Sequence, residues 1–257
     1  MNMPNSVGRV RTIFGSPSIY LWLLLSISSS SLRSQELDTY SINYTARAGI
    51  ATASASRSLS RITSNSYQLM NILIVTLAGQ TVTEIKELSE ITLSNDQNLI
   101  PSFYSREQLG FIDTVEEITY DWEQYIAKIA TADLSTKINL ENDTFDELSH
   151  QLAMRENLTR GIERLSYNVI NNSGIREYQY TVLGEERIRT PLGDFLGIKV
   201  ERTQPKHNDR SIVFWLSKEW AGVLLRMDQV INDKIGLTLQ IQDGFVNGKP
   251  ITGKEIF

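Results

Sequence analysis

Along most of the chain, hydrophobic and polar residues alternate one by one, the two-residue period of strands with one wet face. Tyr40, Ile42, Tyr44 and Ala46 alternate with Ser41, Asn43, Thr45 and Arg47, and after Gly49 an Ala/Ser-rich second strand is predicted over Ile50 to Leu59. The run Leu69 to Val75 is apolar on both parities and predicts a strand covered on both faces. Ile85, Ser89, Ile91 and Leu93 share a parity against Glu84, Lys86 and Glu90. Pro101 opens a stretch through Tyr104, and Ile118, Tyr120 and Trp122 alternate with Thr119, Asp121 and Glu123. The last third repeats the pattern in Tyr178, Tyr180 and Val182; in Leu196, Ile198 and Val200; in Ile212, Phe214 and Leu216; and in Val223 to Met227 and Ile235 to Ile241. One segment changes period. Phe145, Leu148 and Leu152 recur at spacings of three and four, with Thr144 and Glu147 in capping-box positions and Gly161 as a stop, predicting a helix from about Phe145 to Arg160.

On the order of ten strands joined by short turns predict a mostly β, antiparallel meander, because flat open sheets of that width are rare. The expected architecture is a strongly curved sheet or partly open β-barrel, lipocalin- or lipoprotein-carrier-like in outline, with one helix of about four turns packed against it. A single β domain is expected over residues 35–245, and Asn247-Gly248 and Gly253 predict a frayed tail over 246–257. Residues 1–34 stand apart. Arg9 and Arg11 precede the apolar run Ile19 to Ile27, and Ser28 to Ser31 follow, the three-part plan of a secretory signal peptide. The apolar run falls short of the ~20 residues that span a bilayer.

Composition adds exclusions. With 41% hydrophobic and 21% charged residues the chain is globular rather than disordered. It has no Cys, which excludes a disulfide, a thiolate zinc site, a cysteine nucleophile and a lipid-modified cysteine, so an exported form is not a lipoprotein. Loss of residues 1–34 leaves 223 residues and lowers the net charge from −5 to −8, since that segment holds Arg9, Arg11 and Arg33 and no acid. Such an acidic protein is unsuited to nucleic acid or to anionic membrane surfaces by charge.

Chemistry is harder to find. There is no G-x-S-x-G, H-E-x-x-H, Walker or G-x-G-x-x-G motif. His150 lies four residues before Met154, one helical face, but two ligands without a third make no metal site; a surface or groove-lining role is expected. His207 falls in a polar loop. Asp121 and Glu123 share a strand face and invite a glycosidase reading, yet that face is the wet one, and Glu116 and Glu117 extend it as an acidic surface. Neither a catalytic constellation nor a cofactor is expected. The aromatic set suits a ligand cavity instead: Tyr120, Trp122 and Trp215 to supply contact, with Arg210 or Arg226 to orient an acidic group.

Several segments, in order, resemble a bacterial exported family called domain of unknown function 3108. These are Tyr40-Ser-Ile-Asn-Tyr44 with Gly49, Ile100-Pro101-Ser-Phe-Tyr104, Tyr120-Asp121-Trp122, Thr190-Pro191-Leu192-Gly193-Asp194-Phe195 and Arg210-Ser-Ile-Val-Phe-Trp215-Leu216-Ser217. After Ser217 the chain has Lys218-Glu219-Trp220 where the family often has Asp then Pro. The resemblance spans roughly residues 38–245 and implies a periplasmic, mostly antiparallel β protein of a Gram-negative bacterium, with no catalytic residues to transfer. The expected function is non-catalytic: binding or envelope maintenance, holding an amphipathic ligand such as a lipid or envelope glycan. The alternatives are an interaction protein that docks an envelope assembly through a sheet edge, and, more distantly, a carboxylate-dependent glycan hydrolase.

Overall fold

The predicted alternation becomes a single sheet in the computed structural model, which describes residues 36–48, 51–163, 165–203, 210–232 and 234–254. The predicted signal segment and His207 lie outside the described residues. The first half contributes β1 (Tyr40–Ala48), β2 (Ala51–Arg61), β3 (Ser66–Leu77), β4 (Gln80–Leu93), β5 (Leu99–Gly110), β6 (Thr114–Asp121), β7 (Ile126–Thr131) and β8 (Ser135–Asn139). Then come β9 (Thr144–Phe145), the helix α1 (Ser149–Thr159), β10 (Leu165–Asn171), β11 (Gly174–Thr190) and β12 (Gly193–Thr203). The last elements are β13 (Arg210–Ser217), β14 (Leu224–Ile231), β15 (Lys234–Val246) and β16 (Lys249–Pro250).

The strand order is β8 through β1, then β15 back through β9, so β1 pairs with β15 and joins two meanders into one curled wall. Its edges, β8 and β9, are separated in sequence only by residues 140–143, and they do not pair with each other. The wall is therefore an open, strongly curved barrel, as the sequence pattern predicts. The sheet has 16 strands against the expected ten or so: β8 is a polar edge strand, β9 and β16 are two residues each, and β7 and β10 are strands the sequence reading does not include.

The inner face follows the apolar parity. Tyr40, Ile42, Tyr44 and Ala46 are buried while Ser41, Asn43 and Thr45 are exposed. Through the registers this face continues across Leu59, Leu69, Ser89, Tyr104, Ile118 and Ile129. β3 departs from expectation: Met70 to Val75 are half-buried on both parities rather than covered. One parity (Leu73, Val75) faces a cleft in the lumen, and the other leaves Ile72 and Ile74 on the outside of the wall.

α1 lies inside the curve. Leu148 and Leu152 pack with the β1–β7 wall, whereas Ala153, Met154 and Leu158 pack with β10–β13. A helix covered on opposite sides needs no single apolar stripe, and Ser149, His150 and Arg155 are buried with it. It is shorter than predicted, and its start is built differently. Thr144 Oγ1 donates to Glu141 O, and it is the fully buried Asp146 carboxylate that accepts from Leu148 N (2.9 Å) and Ser149 N (2.8 Å). Its end is as predicted: Gly161, at φ +75, lets Gly161 N reach Leu158 O and Ile162 N reach Asn157 O.

Two surface expectations are corrected. The tail from 246 to 254 is not frayed: Val246 and Ile251 are buried, β16 pairs with β15, and Gly253 N and Lys254 N donate to Leu192 O and Asp194 O. Gly253 permits this approach, since a Cβ there would stand 2.7 Å from the Gly193 carbonyl carbon. Glu116 points inward with 8% exposure, because its parity is that of Ile118 and Tyr120, and burial raises its pKa. After Ser217, the hydroxyl Oγ accepts from Glu219 N and Trp220 N, so a serine-based turn does the work of the absent Asp-Pro.

Candidate functional site

The inward residues of β2 are Ala51, Ala53, Ala55, Arg57 and Leu59, and this run of small side chains opens a cleft. The lining continues along the curved wall through Ala46 to Leu237 and Leu239 of β15, Met227 of β14 and Ile212 and Phe214 of β13, with Leu73 and Val75 of β3 on the other side. The floor is the start of α1, where Glu147, His150 and Gln151 meet Arg57, Tyr180 and Arg202. The volume is about 430 Å3, within the ~300–1,000 Å3 range of small-molecule sites. The cleft is thus apolar along its walls and polar at its base.

The polar base is held from several elements. Arg57 Nη1 donates to Gln151 Oε1 at 2.7 Å, and its buried Nε has no hydrogen-bond partner. Glu147 Oε1 accepts from Tyr178 Oη (2.8 Å) and Asn171 Nδ2 (3.1 Å), and the Arg202 guanidinium lies 4.4 Å over the Tyr178 ring. Among the described residues neither Arg57 nor Arg202 joins an ion pair. The half-buried base therefore carries two guanidiniums against the Glu147 carboxylate, a positive balance.

Of the two roles expected for His150, surface or groove-lining, the structure shows the second: it is 1% exposed and lines the cleft floor. Its Nδ1 is 3.0 Å from Asp146 O, an acceptor only, so Nδ1 carries the proton and Nε2 accepts from Tyr180 Oη at 2.9 Å. Burial, with Arg202 and Arg57 nearby, pulls its pKa down to about 3. The unfolded chain, with an ordinary value near ~6.5, binds a proton that the folded chain refuses, so this residue's contribution is lost as pH falls below that value. We expect the thermal midpoint to drop between pH ~6.5 and ~5, and His150→Gln to flatten that slope by up to ~1.4 kcal/mol per pH unit. Thermal melts of both proteins across that window check it. The buried carboxyls Asp146 and Glu116, with raised pKa values, act with the opposite sign in both proteins and cancel in the comparison.

Of the five residues singled out from sequence, the four whose side chains are described do not converge. Tyr120 and Trp122 stack at 5.8 Å within the β6 side of the wall, where Trp122 Nε1 donates to Pro101 O. Trp215 is on the outer face with Val213, Ile188 and Val230, donating to Glu186 Oε2. Arg226 lies 5.2 Å from its ring and is held by Asp228 through two hydrogen bonds of 2.9 and 2.7 Å. Arg210 begins β13, and its side chain lies outside the described structure. Asp121 and Glu123 are exposed on the β6–β7 connection, where Asp121 accepts from Gln124 N. What sequence reasoning missed was Arg57 and Arg202. Their signal was present: each occupies the apolar parity of its strand, one after Ala51, Ala53 and Ala55 and the other after Ile198 and Val200.

A wider recess of about 590 Å3 lies beyond the C-terminal end of α1, between Leu158, Val182, Ile198 and Leu216. Its Glu185 and Lys218 pair with each other, so among the described lining residues no cation is left to orient a ligand there. Among the described residues no His, Asp and Glu group is arranged to hold a metal ion, and no helix is long and apolar enough to cross a membrane.

The sequence profile of a family described as protein of unknown function (DUF3108) matches residues 39–240. Among solved structures the chain is similar to a β-barrel-like protein of domain of unknown function DUF1849 from Brucella abortus. The two are 10% identical with a TM-score of 0.54, over 82% of this chain and 99% of that one. It is also similar to a conjectured lipoprotein from Parabacteroides distasonis (11% identical, TM-score 0.40, 84% of this chain and 100% of that one). A conjectured exported protein with YmcC-like fold from Bacteroides fragilis aligns at 11% identity and TM-score 0.37, over 83% of this chain and 95% of that one. No curated protein matches the sequence. The first likeness shows the fold, a β-barrel-like wall.

Proposed function

Since the chain belongs to the DUF3108 family of proteins of unknown function, we propose its role from its own cleft: a non-catalytic, periplasmic binding protein for an anionic amphiphile. The observation that carries this reading is the placing of Arg57 and Arg202, without ion-pair partners among the described residues, at the base of an apolar cleft. Aliphatic walls take the tail, and the guanidiniums take a carboxylate or phosphate head. Gln151 and Tyr178 hold the two cations in place, so the site is set before a ligand arrives. The exposed, separate positions of Asp121 and Glu123 give no support to hydrolysis. Docking by strand addition has less support as well. β8 is five residues with Lys137 at its centre, and β9 is a buried pair of residues; both are guarded edges.

The test uses a fluorescent fatty acid and its uncharged alcohol analogue, each titrated into the protein recovered from an exporting bacterial host. The acid is expected to bind more tightly than the alcohol. Arg57→Gln and Arg202→Gln should each weaken the acid by about tenfold or more, because a hydrogen bond to a charged group contributes ~1.5–3 kcal/mol. The alcohol should be little affected. Equal binding of acid and alcohol by the parent protein sinks the reading, as does capture of a soluble glycan alone in native mass spectrometry of the same preparation.

A further inference from the structure

We propose that the rim around the cleft mouth is a membrane-docking surface, which seats on a lipid bilayer so that an amphiphile passes directly between leaflet and cleft. The inference rests on the binding role above and concerns a different part of the molecule. Antiparallel order puts the connections after β1, β3, β5, β7 and β14 at one end of the wall. The cleft opens at that same end, for its lining begins with Ala46 and Ala51 at the β1–β2 turn and runs down to the floor at α1.

At this end the apolar lining does not stop at the lip. On β3 the inward parity Leu73, Val75 continues to the exposed Leu77, while on β15 a register shift past Leu237 sets Ile235, 57% exposed at the same end, opposite Val230. Two further connections carry bare apolar side chains: Phe111 and Ile112 after β5, at 81% and 67% exposure, and Leu134 after β7, at 72%. Turns normally hold polar residues, and a tip such as Phe111-Ile112 leaves large apolar surface in water that a leaflet would remove. The opposite end exposes Ile62, Tyr125 and Phe245 on separate elements, and Ile162 beside the recess beyond α1, with no adjacent pair like Phe111-Ile112 among the described residues.

The charges at the rim identify the kind of surface. Among the described residues beside the turns at this end, Arg47 and Lys234 are exposed and so are Asp113 and Asp133, two of each sign. A rim of that kind is not drawn by an anionic headgroup layer. It docks by burying apolar side chains in the headgroup–acyl boundary, which the acidic net charge of the whole chain does not oppose on zwitterionic lipid.

The absence of native cysteine makes the test clean. Ile112→Cys and Ile62→Cys are each labelled with an environment-sensitive fluorophore and mixed with vesicles of phosphatidylcholine and phosphatidylethanolamine. Emission is expected to rise for the label at 112 and not at 62. In vesicle flotation, the Phe111→Asp/Ile112→Asp double variant should partition about tenfold less or worse, while Ile62→Asp matches the parent. Absence of a response at 112, an equal response at 62, or partition abolished by ~0.5 M salt, the mark of charge attraction, overturns the proposal. Probe binding without vesicles is measured on the same proteins. If the double variant and the parent both bind the acyl probe while neither floats, docking alone falls; if the parent fails to bind the probe, the binding role falls with it.

Discussion

Replacing Asp146 by alanine is expected to destabilise the fold by about 3 kcal/mol, lowering the thermal midpoint by roughly 6–12 °C. The carboxylate is fully buried and holds three donors at once: Leu148 N, Ser149 N and, at 2.8 Å, Ser89 Oγ. Ser149 Oγ returns a contact by accepting from Asp146 N. Alanine strands two backbone amides at the buried start of α1 and a hydroxyl on β4, where no water replaces them, and such orphaned groups cost more than the bonds are worth in water. Because α1 supplies the cleft floor, the acyl probe should bind poorly to whatever remains folded.

Asp146→Asn separates bonding from charge. An amide oxygen still accepts from both backbone amides, and its NH2 can donate to the Ser89 oxygen. Burial raises the Asp146 pKa, so the carboxyl's contribution is present at low pH and fades as pH rises through its folded value. Asparagine carries no such dependence. The Asn variant is therefore expected to melt within a few degrees of the parent and to gain on it as pH increases. Differential scanning calorimetry over that series decides the matter: an Ala variant as stable as the Asn variant would show that the carboxylate does not organise the helix start.

Ala53→Trp is expected to abolish probe binding, with an affinity loss of about 100-fold or more, while leaving the fold intact. Ala53 sits inward on β2 between Ala46 and Val75, half-buried against the open cleft rather than against packed core. An indole there fills space reserved for a ligand tail, so the overpacking strain of a dense core, ~1–3 kcal/mol, should be largely avoided. Ser54→Trp is the matched control, one residue along and exposed on the outer face. If both variants bind as the parent does, or both lose binding alike, the cleft is not where the probe resides. Thermal melts alongside the titrations show that each variant is folded.

The sequence by itself determined the wall of this protein. The two-residue period states which side of each strand avoids water, and burying one side of so many strands requires curvature. Tyr40, Ile42, Tyr44 and Ala46 are legible for that reason, and so is the helix end at Gly161, whose positive φ is a local matter. The order of short motifs also sufficed to mark the family. The site was only half legible. Arg57 and Arg202 stood out of place on apolar parities, but nothing local says that strands 145 residues apart in the chain face one another across a lumen. Trp215 and Arg226 were attractive for their chemistry, yet they turn outward because their neighbours Phe214 and Met227 claim the inward parity. His150 and Asp146 had no helical or strand signature of burial, since α1 is covered from two directions at once. That enclosure arises only when β5 and β10 come round to flank the same helix, and long-range closure leaves no periodic mark in the residues it buries.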